Sequence, residues 1–205
     1  MSSLPPFFSC LPVTCDFETL IGDDSKFCSG NLRVIYPNLG EVSCIYIPNC
    51  FGYSESIIKV WGPPWIKFSK AIPEMMYVLM MVDPDVPSRF HPIYRHQRHW
   101  LVSDIPGHVL LKGREVTGKV LSPYHRPNPP AETGYHRYQF LLYMQIPGVT
   151  PSLLPSEEHL ESWDVNAFVL RCIPEDPVAT TQFMIQHPDN GIIIHDAEYI
   201  LFGKN

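Results

Sequence analysis

The chain is short of charge, and of positive charge in particular. Its 205 residues include 15 Lys and Arg against 21 Asp and Glu, and the charged fraction is 18%. Soluble domains usually carry about 25% charged residues. Proteins that bind nucleic acid mainly through the phosphate backbone need a basic face, and a formal net charge of −6 argues against that class. We therefore expect no nucleic-acid partner.

Long apolar runs are also missing from the sequence. No stretch approaches the roughly 20 apolar residues of a membrane-spanning helix, so we expect no transmembrane segment. Residues 1–8 contain no basic residue, and Pro5, Pro6 and Pro12 interrupt the apolar stretch that a signal peptide requires. A signal peptide is therefore not expected within the given residues.

Prolines, by contrast, are abundant, and short strand-like runs lie between them. The 22 Pro against 12 Gly indicate many short segments joined by rigid turns. Apolar and β-branched runs predict strands at 31–36, 41–47, 56–61, 65–68, 77–82, 100–105, 117–121, 139–145 and 181–185. Asp164 is placed to cap a short helix. The predicted fold class is all-β, mainly strands with a few short helices, arranged as antiparallel sheets in a sandwich.

The sequence divides into three parts. Residues 1–30 are a Cys- and Pro-rich N-terminal extension, residues 31–190 form one domain, and residues 191–205 are a C-terminal tail. A domain of this length can bury a substantial core.

Five of the six cysteines lie in the first quarter of the chain, at Cys10, Cys15, Cys28, Cys44 and Cys50. None forms a C-x-x-C motif, which argues against a zinc cluster. Their crowding favours disulfides and an oxidising compartment, with free buried thiols as the alternative. Cys15, Cys28, Cys44 and Cys50 are the disulfide candidates, and their pairing stays open. A secreted or lumenal, endolysosomal location would then require a signal peptide upstream of this chain.

Two polar segments carry the candidate chemistry. The first runs from Asp83, directly after the wholly apolar strand 77–82, to His99, and the second ends at His136 and Tyr138. If their strands are neighbours, these side chains converge into a pocket suited to a small anion. For each histidine alone, the alternative is a hydrogen-bonded structural residue. The basic residues between the acids and His99 are interpreted as structural or surface charges: Arg89, Arg95 and Arg98.

The same segments resemble the phosphatidylethanolamine-binding protein family. The pattern D-P-D-x-P-S followed by H-[FW]-L-V matches residues 83–88 and 99–102. The pattern P-P followed by G-x-H-R-Y-x-F matches residues 129–130 and 134–140. The Cys-containing lead-in is most similar to the secreted, cysteine-bearing branch of the family.

This resemblance implies antiparallel sheets with Greek-key connections and a shallow pocket for phosphate or a phosphoethanolamine head group, with no cofactor. It also implies a cis peptide bond before Pro87. The implied ligand-binding residues are Asp83, Pro87, His99, Asn128, Pro129, Pro130, His136 and Tyr138. Two of the family's positions differ, since Asn128 replaces a frequent glycine and Gln97 a frequent tryptophan. The C-terminal helix that closes the pocket in many members is not recognisable in residues 191–205.

The expected function is non-catalytic binding of phosphatidylethanolamine-type or other anionic head groups, with modulation of Raf/MEK-type kinases or of a protease. One alternative is a hydrolase or metal enzyme that uses Asp83, His99 and His136, although the sequence contains neither G-x-S-x-G nor H-E-x-x-H. Another is a protein-interaction module with a vestigial pocket.

Overall fold

A computed structural model describes residues 15–173 and 176–188. Cys10 and the tail 191–205 lie outside these residues. The strands are β1 (Leu32–Tyr36), β2 (Gly40–Glu41), β3 (Trp65–Phe68), β4 (Met76–Asp83), β5 (Gln97–Pro106), β6 (Lys119–Ser122), β7 (His136–Met144) and β8 (Ala179–Ile185). The helices are α1 (Gly22–Lys26), α2 (Tyr53–Glu55), α3 (Gly107–Lys112) and α4 (Val165–Cys172). Single 3-10 turns occur at Cys50–Gly52 and Pro155–Glu157, and α2 continues as a π-helical turn at Ser56–Val60.

The strands form two antiparallel sheets. The larger has the order β6-β5-β4-β7-β8, and the smaller has the order β2-β1-β3. Strands β4, β5 and β6 follow one another, and β7 returns to lie beside β4, which is a Greek-key arrangement. The predicted fold class, antiparallel and mainly β with a few short helices, is confirmed.

Strand β4 is the centre of the core, because its side chains alternate between two buried faces. Leu79 and Met81 face the smaller sheet and pack in the main core between the sheets. Met80 and Val82 face the other way and pack against α4 in a second apolar cluster. Every β4 residue from 77 to 83 is buried, as expected for a strand that contains the apolar run 77–82. The acid at its end, Asp83, is therefore delivered to the edge of the core.

Two of the predicted strands are wrong. Residues 41–47 contribute only the second residue of β2 and isolated bridges at Ile45 and Tyr46. The chain turns at Cys44, whose φ of 60° does not fit a strand. Residues 56–61 are mostly helical, and Lys59 bonds to Glu55 four residues earlier at 2.8 Å, a spacing that favours helix over strand.

Helix α3 was not predicted from the sequence. It begins at Gly107, where an added Cβ would lie 1.9 Å from the Ile72 carbonyl oxygen. Only glycine allows this close approach of two backbone segments. By contrast, the helix expected after Asp164 is observed as α4, and the Asp164 carboxylate accepts a hydrogen bond from the Ala167 N–H at 2.9 Å.

The described part of the lead-in is joined covalently to the sheets. Cys15 pairs with Cys50 and Cys28 with Cys44, with Cα–Cα distances of 6.0 and 6.1 Å. All four disulfide candidates are therefore paired, and Cys172 is a free, buried thiol. The segment also bonds to β8, since the N–H of Ser29 donates to the Thr180 carbonyl at 2.8 Å.

Candidate functional site

The candidate site lies where β4 ends, β5 begins and β7 begins. Strand β4 pairs with β5 on one side and β7 on the other, so residues at these three ends are neighbours. A register shift after Met81 offsets the first residues of β5. As a result, His99 contacts the Tyr138 ring, whereas the preceding Arg98 lies over Trp163, a residue of the cluster on the opposite face of the sheet.

Asp83 and His136 form a buried, hydrogen-bonded pair. The His136 Nδ1 lies 2.8 Å from Asp83 Oδ2, and both side chains are almost fully buried. The other Asp83 oxygen accepts the Asp85 N–H at 2.8 Å. The His136 Nε2 lies 2.9 Å from Thr133 Oγ1. Because a carboxylate only accepts, Nδ1 of His136 carries a proton, and both nitrogens of this ring have partners.

The His99 ring has a different environment. Its Nδ1 lies 2.9 Å from the His125 carbonyl oxygen, an acceptor, so Nδ1 donates. Its Nε2 is buried and has no hydrogen-bond partner among the described residues. Burial lowers the pKa of the His99 imidazole. The neutral ring with its proton on Nδ1 therefore leaves an acceptor lone pair at Nε2.

Tyr138 links the histidines to the proline-rich segment. Its ring meets that of His99 edge-on with centroids 5.1 Å apart. Its hydroxyl oxygen accepts the Asn128 backbone N–H at 3.0 Å. Burial, and secondarily the charge of Asp83, raises the pKa of Tyr138 well above its usual value, so the phenol stays protonated. The backbone donor at Asn128 is thus present but bonded within the protein.

Three prolines of the predicted site lie in the flanking loops. The Val86–Pro87 peptide bond is cis, as the resemblance implies. Pro87 is half-buried, Pro129 is buried and Pro130 is exposed. The Pro130 carbonyl accepts a hydrogen bond from the Thr133 hydroxyl at 2.7 Å.

Sequence reasoning missed the second acid of the D-P-D motif. Asp85 is fully buried and receives the Arg137 guanidinium, with Nε at 2.8 Å and Nη2 at 2.5 Å. It also accepts the Arg137 backbone N–H at 3.0 Å. The motifs D-P-D and H-R-Y contain the two partners, so an ion pair between the motifs could have been predicted from the sequence. Thr133 and the His125 carbonyl were missed as well, and neither carries a sequence signal.

The basic residues of the loop have structural partners. Arg89 forms a bidentate pair with Asp24 of α1, at 3.0 and 2.7 Å. The Arg95 Nε donates to the Pro84 carbonyl at 3.0 Å. Arg98 is buried beneath the loop at 153–160. Gln97, at the position where the family often has tryptophan, is half-buried beside Tyr94.

Residues 47–184 match the sequence model of a family described as phosphatidylethanolamine-binding protein. The chain belongs to this family. The match takes in both polar segments and every residue of the candidate site described above. The family assignment therefore agrees with the resemblance drawn from the two motifs.

Three proteins illustrate how this family member relates to others. It is 38% identical over 92 residues to a Drosophila melanogaster protein with the provisional name odorant-binding protein A5, a match that covers 42% of this chain and 41% of that one. It is 32% identical over 139 residues to the uncharacterized protein YLR179C of Saccharomyces cerevisiae, covering 61% and 68% of the two chains. Carboxypeptidase Y inhibitor, solved with its cognate proteinase, shares the fold with a TM-score of 0.59 and 22% identity, covering 76% and 82%.

The described residues contain neither a metal-binding cluster nor a membrane-spanning helix. Within residues 15–173 and 176–188, no three His, Cys, Asp or Glu side chains are grouped so that they would hold a metal ion. In the same part of the chain, no helix is both long enough and apolar enough to cross a membrane.

Proposed function

We propose that the chain binds phosphorylated or other anionic head groups of the phosphatidylethanolamine type without converting them. The observation that carries the proposal is the buried, unpartnered Nε2 of His99. Buried polar atoms almost always have a partner, and an exception calls for an explanation. A ligand that hydrogen-bonds to Nε2 supplies one. In this proposal the walls of the site are Asp83, Pro87, Asn128, Pro129, Pro130, His136 and Tyr138.

The state of His99 limits which ligand form binds. A neutral ring with its proton on Nδ1 accepts a hydrogen bond at Nε2, so a phosphate group can bond to it only through a P–O–H. A phosphate monoester has such a proton in its singly charged form, and its second pKa is about 6. Otherwise, His99 must take up a proton when a dianion or a phosphodiester binds. In both cases one more proton is held in the complex, and binding is tighter below about pH 6 than above it.

Titration calorimetry with phosphoethanolamine and with inorganic phosphate tests this proposal. The key variant is His99→Asn, because its amide nitrogen stands near the position of Nδ1 and keeps the bond to the His125 carbonyl, while Nε2 is removed. The matched control is His108→Asn, an exposed histidine on α3. We expect the native chain and the control to bind, and the His99→Asn and Asp83→Asn variants to lose binding. Native-like binding by the His99→Asn variant would contradict the assignment.

We infer a binding role, not a catalytic one, because the acid of the site is committed to other bonds. Both oxygens of Asp83 hold internal donors, at 2.8 Å each. The alternative, hydrolysis by Asp83, His99 and His136, predicts turnover of a phosphoester such as p-nitrophenyl phosphate. Turnover that is lost in the His99→Asn variant would favour the enzyme over the binding protein.

We further propose that ligand binding accompanies modulation of a protease or of a Raf/MEK-type kinase. Support for the protease is the shared fold with carboxypeptidase Y inhibitor. The two disulfides support a secreted or lumenal location, which separates the chain from cytosolic kinases. Mass mapping of the secreted or organelle-purified protein without reductant tests the pairing. Inhibition assays with the His99→Asn variant test the role of the pocket, and inhibition that persists favours an interaction module with a vestigial pocket.

A further inference from the structure

A second candidate site lies on the opposite side of the large sheet from His99. It is a groove of about 600 Å³ between the β5–β6 edge and the loop at 153–160. Cavities of about 300–1,000 Å³ suit small ligands. Its apolar lining consists of Leu121, Pro123, Leu153, Leu154, Pro155 and Leu160. Its polar lining is Ser122, His125, Glu158 and Arg98, and Arg98 is the only arginine or lysine among the described residues there.

Arg98 is an unusual residue to find at the wall of an apolar groove. It is only 2% exposed, and its guanidinium lies 5.0 Å from the centre of the Trp163 ring. The Nη2 donates to the Glu157 carbonyl at 2.9 Å. The Nε and Nη1 are buried and have no acceptor among the described residues. A guanidinium keeps its charge in proteins, so this cation is buried with two of its donor nitrogens unused.

The Glu157 carboxylate makes no hydrogen bond to Arg98. The Glu157 side chain accepts from Arg171 Nη2 at 2.6 Å and from the Leu154 N–H at 2.6 Å. It also accepts from the Trp163 indole N–H at 3.3 Å. Glu157 therefore offers Arg98 its backbone carbonyl, and its carboxylate acts on Arg98 only through space while it is hydrogen-bonded to Arg171. Buried donor nitrogens without an acceptor are costly, and a bound anion would supply the acceptors.

We propose that the Arg98 groove binds a carboxylate carried on an aliphatic chain, such as a medium-chain fatty acid. One carboxylate engages either Nε or Nη1 together with the remaining Nη2 hydrogen, the two-point geometry that arginine favours. The alkyl chain lies against the leucines of the groove. Neither unused nitrogen contacts solvent, so binding requires a shift of the wall at 153–160. That wall is irregular chain apart from the single turn at Pro155–Glu157.

Calorimetry with decanoate and with 1-decanol separates charge recognition from apolar binding. We expect the native chain to bind decanoate at least about tenfold more tightly than 1-decanol, the effect expected for charge-assisted hydrogen bonds. Arg98→Met keeps an unbranched apolar side chain but removes the guanidinium, and it should lose this preference. Arg33→Met, on the smaller sheet, is the matched control and should keep it.

A second variant keeps the proposal testable if Arg98→Met does not fold. Leu154 is 43% exposed at the groove, so Leu154→Asp should fold and should repel decanoate. His108→Asn, at an exposed histidine on α3 that does not line the groove, should bind decanoate as the native chain does. The proposal is overturned if the native chain does not bind decanoate, if it binds 1-decanol equally well, or if both Arg98→Met and Leu154→Asp bind decanoate like the native chain.

Discussion

Two buried histidines on either side of strand β4 have opposite hydrogen-bonding states. His136, on β7, has a partner at each ring nitrogen, Asp83 and Thr133. His99, on β5, has one partner, the His125 carbonyl, and a free acceptor at Nε2. The two residues are equally inaccessible to solvent. Burial alone therefore does not distinguish a histidine whose ring nitrogens both have partners from one with an unused acceptor, whereas the number of hydrogen-bond partners does.

The largest effect on stability is expected when His136 loses its partner Asp83. Asp83→Ala leaves a buried imidazole and the Asp85 N–H without their acceptor, and each buried group left unsatisfied costs about 1–3 kcal/mol. His99→Asn keeps its one hydrogen bond and should cost only about 1 kcal/mol. Urea unfolding followed by circular dichroism measures both. The comparison fails if the two variants lose similar stability.

A smaller effect is expected at Thr133, which closes the His136 network. Thr133→Val removes the hydroxyl that joins His136 Nε2 to the Pro130 carbonyl, and we expect a loss of about 1 kcal/mol. Thr133→Ser retains the hydroxyl and serves as the control. Equal stability of the Val variant and the native chain in urea would mean that Nε2 of His136 gains nothing from Thr133.

The smallest effect is a dependence of stability on pH that comes from His99. Burial holds the pKa of this ring below its unfolded value of about 6.5, so below that pH the unfolded chain binds a proton that the native chain does not. Stability is therefore fully present above about pH 6.5 and falls as the pH drops from there toward the lowered pKa. The decline between pH 7.5 and 5.5 should be shallower in His99→Asn, as measured by urea unfolding at each pH. An unchanged slope would show that His99 titrates alike in both states.

Patterns that depend on neighbouring residues in the sequence were predictable, and those that depend on distant ones were not. The wholly apolar run of β4 predicted burial on both faces of the strand, and Asp164 predicted a helix after it. The strand expected at 41–47 failed because Cys44 is drawn into a turn by its disulfide to Cys28 and by its bond to β8. Those partners lie elsewhere in the chain.

The same limit applies to the candidate site. Asp83, His99 and His136 were named from the two motifs, because such groups are few and closely spaced. The acceptor of His99 is a backbone carbonyl, which every residue carries, so no residue type indicates it. Arg98 was interpreted as a structural or surface charge. Its burial depends on Trp163 and Glu157, about 60 residues further along the chain, and its neighbours in sequence do not reveal that.

The two edges of the large sheet differ in how they are protected from pairing with other molecules. At one edge, β6 is four residues long, carries exposed Lys119 and Val120, and is followed by Pro123, features that discourage strand addition. At the other edge, β8 receives hydrogen bonds from Ser29 and Cys44, on segments joined by the Cys28–Cys44 disulfide. The β6 edge is thus protected by its own sequence, and the β8 edge is covered by segments that a disulfide joins. We expect reduction of the Cys28–Cys44 disulfide to loosen these segments and to open the β8 edge to pairing with another chain.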